Sequence, residues 1–379
     1  MLPVAAMAEG TAVAVIGDVE YNSLSEAVAE AIKSAEAKTI KLLSDCSGSG
    51  IQIPKDKNIT IDFDGHTYTV SGAPLAGSSG TENQCFQLLK DSNIKFMNGT
   101  VKVADEYSGN PEVRFIIQNY CNLTLENMVL DGTKLNYSAG TCYTLSNNNG
   151  NVIIKDTTIT AKEGDVAFDV CRYASYTGPC VTVQGNSIIN GKVEISSSGA
   201  KEGAIHKLIV SGATFNGEIV KDGSSPDFSA EITKGTFASD VTAYAGGKLV
   251  IMRETDNKYY VGDTAQSALE NAAAGERFHV RQAPNNTIDN VTPGVVLINA
   301  IREQEEMALT VNGKTYVGVE AITAEAKTIT IIVPSEGGGT ATTPETTKNP
   351  GTGANDFVGA AVAVAVISAV GAAAVVRKK

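Results

Sequence analysis

Four charged residues are spaced so that they could do chemistry together: Asp165, Asp169 and Arg172 in the run EGDVAFDVCRY, and Asp131 in LDG. Two carboxyls flanking a glycosidic bond can divide the work of general acid and nucleophile or base. A carboxylate cluster holding Ca²⁺ beside a cationic base can instead abstract a proton. Each residue also has a plainer reading. Asp before Gly is a common turn residue, and charges alternating along a strand edge are usually solvated. The plainer reading is preferred, so no catalytic residue is assigned, and these four stand as the site of an alternative, enzymatic reading. His66, His206 and His279 are scattered and no metal-ligand spacing occurs, so neither a metal nor a cofactor is expected.

The elements that would position these residues show in an internal repeat. Asn58-Ile-Thr-Ile, Asn93-Ile-Lys-Phe, Asn122-Leu-Thr-Leu and Asn151-Val-Ile-Ile form a ladder whose last three asparagines are 29 residues apart, and Cys180-Val-Thr-Val follows at the same interval. Upstream, FQLL, FIIQ and YTLS bring Phe86, Phe115 and Tyr143 nearly into phase, and inward packing is expected of them. Downstream, Asn98, Asn127, Asp156, Gly185, Gly212 and Gly235 mark a turn. A repeat of two or three short strands cannot bury its apolar side alone, but stacking copies about 4.8 Å apart does so. The prediction is an all-β parallel solenoid in which Asn58, Asn93, Asn122 and Asn151 make an inward ladder of side-chain amides. Frequent Gly and Thr and the absence of Trp fit short strands and tight turns. Cys142 and Cys171, also 29 apart, are expected to stack in adjacent coils as free thiols.

From about 50 to 245 the pattern resembles the right-handed parallel β-helix family, which includes pectate-lyase-like and many bacterial surface proteins. GATFNGEI and KGTFASDV are similar to the Gly-Thr-Phe turns of that group. The handedness is implied by this resemblance alone. Before the first coil, SLSEAVAEAIKSAEAKTIKLL sets Leu24, Ala27, Val28 and Ile32 on one helical face, a cap for the open end of the stack. A related pattern returns at TAQSALENAAAGERFHV, predicting a helix near 264–274 in a small α+β domain.

The C-terminus supplies an address. Phe357 to Val376 is 20 residues without a charge, about 30 Å as a helix, and Arg377, Lys378 and Lys379 follow. Such a cationic stub stays cytoplasmic and leaves everything upstream outside. Asn349-Pro350-Gly351-Thr352-Gly353, the apolar span and the basic tail together resemble the cell-wall sorting signal of Gram-positive surface proteins. That resemblance implies recognition by sortase through Asn349, Pro350, Thr352 and Gly353, with cleavage after Thr352 and transfer to a peptidoglycan amine. Leu is usual where Asn349 stands. At the other end, Ala6-Met7-Ala8 fits the residues left of a signal-peptidase cut, with a mature start near Glu9.

The expected organisation is a signal-peptide remnant at 1–8, a cap at 9–49, coils at 50–245, an α+β domain at 246–333, a linker and sorting motif at 334–353, and a transmembrane helix with basic tail at 354–379. A formal charge of −12 disfavours nucleic acid as a partner. The functional expectation is an extracellular, wall- or membrane-anchored display protein, non-enzymatic, acting in adhesion or in binding a glycan or host ligand. The alternative is a surface polysaccharide lyase or glycoside hydrolase, distinguished by clustered carboxylates beside exposed aromatic rings.

Overall fold

A computed structural model describes residues 12–332, apart from 108, 223–227, 302–306, 319–320, 324–325 and 328. The chain is mostly β, and parallel pairing dominates. In the main sheet Lys38–Leu42, Asn58–Asp62, Asn93–Val103 and Asn122–Asp131 pair in sequence order, all parallel. The series continues through Gly150–Lys155 with Thr158–Thr160, then Pro179–Gln184 with Ile188–Asn190, then His206–Phe215 and Phe228–Phe237.

A lateral sheet takes the alternate strands: Ile51–Ile53, Gln84–Leu88, Phe115–Asn119, Tyr143–Asn147, Val166–Tyr173, Lys192–Ser198 and Ile219–Lys221, again all parallel. The main-sheet register advances 29 residues per step from Asn93 to Cys180, with steps of 35 before and 27 after, and like residues stack throughout. Ile59, Ile94, Leu123, Val152, Val181 and Leu208 form one buried row, and Ile61, Phe96, Leu125, Ile154, Val183 and Val210 another. Each such side chain contributes about 1.5–3 kcal/mol of burial, which makes these two rows the main reason the strands stay in register.

The asparagine ladder exists but faces outward, which corrects the expectation of inward amides. Asn58, Asn93 and Asn122 are register partners, yet all three, like Asn151, are exposed. Side chains alternate along a strand, and the isoleucine, leucine or valine after each asparagine takes the inward place. Asn119 and Asn147, a register pair in the lateral sheet, are instead among the buried amides, each with 0 % exposure. At the expected turn, Asn98, Asn127 and Asp156 adopt φ of +59°, +54° and +48°. There Asn127 Nδ2 donates to Asn98 Oδ1 at 3.2 Å.

Cys142 and Cys171 do not stack. The lateral sheet advances by a different step here, since Ser146 meets Asp169 only 23 residues on. Cys171 therefore pairs with Ser196, and Cys142 lies beside Asp165. All six cysteines are free thiols.

The first helix, Leu24–Ala31, buries Leu24, Ala27, Val28 and Ala31. Its start is a reciprocal cap: Ser23 Oγ accepts from Glu26 N, and Glu26 Oε2 accepts from Asn22 N. The second helix, Asp263–Glu270, lies where the sequence predicts one and buries Ala265 and Leu269 in a separate apolar cluster with Ile251, Phe278, Val280 and Leu297. The main sheet continues into this region through antiparallel pairing of Phe228–Phe237 with Tyr259–Val261. Among the described residues no helix is long and apolar enough to cross a membrane. The expected signal remnant, linker, sorting motif and span at 354–379 lie outside the described residues.

Candidate functional site

The lateral sheet has a polar outer face. Phe86, Ile117, Leu145, Phe168 and Val193 point into the core, so the residue after each points away. Those next residues, Gln87, Gln118, Ser146, Asp169 and Glu194, form one row, with Gln52 at its start. Gln87 Nε2 donates to Gln118 Oε1 at 3.2 Å, and Ser146 Oγ donates to Asp169 Oδ2 at 3.3 Å. The main-chain N–H of Asn147 donates to Asp169 Oδ1.

Asp169 is 5 % exposed. Burial pushes its carboxyl up to about 8, and the neighbouring Glu194 charge adds to that, against the hydrogen bonds from Asn147 and Ser146. At neutral pH Asp169 is mostly protonated. Glu194 is its direct register partner, half-buried, and accepts the Tyr143 hydroxyl at 3.1 Å through Oε1.

Aromatic rings flank this row on both sides. Phe115 and Tyr143 stack at 5.8 Å with 23° between ring planes, and the Arg114 guanidinium lies 4.9 Å from Phe115 and 5.0 Å from Tyr137. Phe86 packs inward in the main core cluster as expected, paired in register with Ile117; Phe115 is buried at 5 % exposure but outside that cluster, and Tyr143 is half-buried, in contrast to the expected inward packing. On the other side Tyr120, Tyr173 and Tyr176 gather, with Tyr120 to Tyr176 at 5.0 Å and Tyr173 stacked on Tyr176 at 6.4 Å. Tyr173 is 38 % exposed.

Next to Tyr176 the chain runs through Thr177 and Gly178 into a groove of about 330 Å³. Asn122, Asn149 and Asn151 line it with Asp91, Cys180 and Ile205. Thr177 Oγ1 donates to Asn149 Oδ1 at 2.8 Å, and Asn149 Nδ2 donates to the Tyr120 carbonyl at 3.1 Å, tying the groove to the tyrosines. Gly178 has φ +93°, and a Cβ there would sit 1.5 Å from the Ile205 carbonyl oxygen. Only glycine permits this close approach of the two segments.

The four acidic and basic candidates of the sequence are not brought together. Asp131 pairs with Lys102 and Thr160 in the main sheet, and its Oδ1 accepts the N–H and hydroxyl of Thr133, a turn role. Asp165 ends a turn, donating its N–H to Lys162 O. Arg172 Nη1 donates to Ala204 O at 3.0 Å, bracing the loop before His206. Only Asp169 lies on the polar row. Its partner Glu194 and the tyrosines leave no alignment in the sequence because the intervening loops are unequal; the YxxY spacing of Tyr173 and Tyr176 and the alternation in KVEIS are the signals that point to them. Among the described residues no group of three His, Cys, Asp or Glu side chains could hold a metal ion.

No protein-family model matches the chain, and no match is found among curated proteins or solved structures.

Proposed function

We propose that this chain is a cell-surface-anchored, right-handed parallel β-helix protein that binds glycans, without catalysis, at the groove beside its tyrosine cluster. The observation that carries the reading is the cluster of Tyr120, Tyr173 and Tyr176, with Tyr173 exposed, joined through Thr177 and Asn149 to an amide-lined groove. The apolar C–H face of a pyranose packs on an aromatic ring, while its hydroxyls need donors and acceptors in fixed places. The stacked parallel strands support the β-helix, and its handedness comes from the family resemblance. Display at the surface, with sortase and peptidoglycan as partners, draws on the order of motif, apolar span and cationic tail at 349–379.

The test is a glycan array probed with the purified chain and with a Tyr173→Ala, Tyr176→Ala double variant. Binding that the double variant loses supports the reading, and an array without signal defeats it. For the anchor, Thr352→Ala should abolish covalent wall linkage and leave the protein membrane-associated; unchanged release by muralytic digestion would count against the sorting assignment.

A second reading, a retaining glycoside hydrolase, draws on the register of Asp169 and Glu194. Adjacent strands lie about 4.8 Å apart, so the two residues stand side by side, and retaining enzymes use two carboxyls ~5–5.5 Å apart; in this reading Asp169 would be the acid and Glu194 the nucleophile. Release of reducing ends from array-positive glycans, lost in Glu194→Gln, would favour it.

A further inference from the structure

We propose that the groove beside Tyr176 selects a neutral sugar carrying an acetamido group, an N-acetylhexosamine unit. The inference rests on the glycan-binding reading and names the class of sugar. Three observations lead to it.

The first is an unused amide. Asn122 passes Nδ2 to Asn93 Oδ1 and accepts Asn151 N–H on its Oδ1, and Asn149 is held by Tyr120 and Thr177. The Asn151 side chain, exposed in the same groove, makes no hydrogen bond among the described residues. A carboxamide offers one N–H and one C=O side by side. An acetamido group offers one N–H and one C=O on opposite edges, so the Asn151 side chain can meet one of them, by donating Nδ2–H to the C=O or accepting the N–H on Oδ1.

The second is an apolar wall. Ile205 is 59 % exposed, the highest value among the exposed large apolar side chains, and it lines the groove with the half-buried Cys180. An acetamido group also brings a methyl, which would cover Ile205. A plain hexose has only a hydroxyl at that carbon, which reaches less far toward Asn151 than an acetamido C=O and has no methyl to cover the isoleucine.

The third is charge. Asp91 is exposed on the groove, the chain carries −12, and neither Lys nor Arg lines this space. A uronate or sialate would meet repulsion without a cation to receive it. A volume of about 330 Å³ falls at the small end of the ~300–1,000 Å³ range of ligand sites, fitting one or two sugar units.

Titration calorimetry of the full chain with chitobiose, cellobiose and sialyllactose tests this. Chitobiose and cellobiose share their linkage and differ at the acetamido carbons. The expected result is chitobiose bound at least about tenfold more tightly than cellobiose, a difference suited to a site with buried or oriented polar partners, and sialyllactose not bound. Asn151→Ala and Ile205→Ser should each bring chitobiose down toward cellobiose, with unchanged melting temperatures. Equal affinities for the two disaccharides, or discrimination that survives Asn151→Ala, overturns the inference while leaving glycan binding in place. Failure to bind these sugars or any glycan on the array overturns both.

Discussion

Asn122 donates Nδ2 to Asn93 Oδ1 at 2.9 Å on the outside of the stack, while Asn119, three residues earlier, is wholly buried. The same residue type therefore carries different weight at the two places. Asn119 holds Cys121 from both sides, accepting its N–H on Oδ1 and donating Nδ2 to its carbonyl at 2.9 Å. Truncation leaves both groups buried and unsatisfied, so Asn119→Ala should cost about 2–4 kcal/mol. Asn122→Ala exposes its former partners to water and should cost only about 0.5–1 kcal/mol. Urea midpoints at constant m-value measure both; equal losses would place the structural amides in the outer ladder after all.

The buried acid gives a pH dependence. Asp169 titrates from 3.8 in the unfolded chain to about 8 in the folded one, driven first by burial. A raised carboxyl favours folding while it stays protonated, so its contribution is full below about pH 4, declines as pH rises, and is gone above about pH 8. Facing it are Tyr120, Tyr143, Cys171 and Glu194, with Ser146 and Asn147 as hydrogen-bond partners. Asp169→Asn keeps the shape without the titration. The variant should lose most of a pH-dependent stability change of up to about 5 kcal/mol between pH 4 and 8. Parallel stability curves for parent and variant across that window would refute a buried proton.

A surface network runs the other way. Glu126 is held well below the usual carboxylate range, at about 2, by hydrogen bonds first from Lys155 and then from Lys95, at 2.7 and 2.6 Å. Its contribution is present above about pH 4.5 and disappears as pH falls through 2. The side chain is 28 % exposed, so solvent screens the pairs. Glu126→Gln should cost no more than about 0.5–1 kcal/mol at neutral pH, a loss that shrinks between about 0.01 M and 1 M salt. A deficit independent of salt would mean that the side chain acts through packing instead of charge.

The 29-residue register is legible because Asn93, Asn122 and Asn151 hold the same place in three successive main-sheet strands, and chance seldom sets three asparagines at equal intervals before like apolar runs. Its facing was legible too, from alternation: in Asn58-Ile-Thr-Ile the two isoleucines must share the core side, which puts the asparagine outside. The lateral sheet hid itself. Its strands are reached through loops of unequal length, so aligning FQLL with FIIQ matched Phe86 to Phe115, whereas the backbone pairs Phe86 with Ile117. Asp169 and Glu194, or Tyr120 and Tyr176, become neighbours only after those loops are counted out. Lone residues at irregular intervals leave no periodic trace.

The last prediction concerns the wall of the groove. At Gly178 the backbone of the Ile205 segment comes so close that a methyl group would overlap the Ile205 carbonyl oxygen, and Ile205 N donates to Thr177 O at 2.9 Å across the same junction. Gly164 has a similar left-handed backbone, φ +81° against +93°, with nothing within 4 Å of an added Cβ. The pair separates two costs. Gly164→Ala should show only the conformational penalty, about 1–2 kcal/mol. Gly178→Ala adds a steric conflict that relaxes only by parting the two segments, so its loss should exceed that of Gly164→Ala by at least about 1 kcal/mol. The parting would also move Ile205 away from Asn151 and weaken sugar binding, which calorimetry reads independently of the melting temperature. Equal destabilisation in the two variants, with binding intact in both, would show that the segments yield freely and that this contact does not shape the groove.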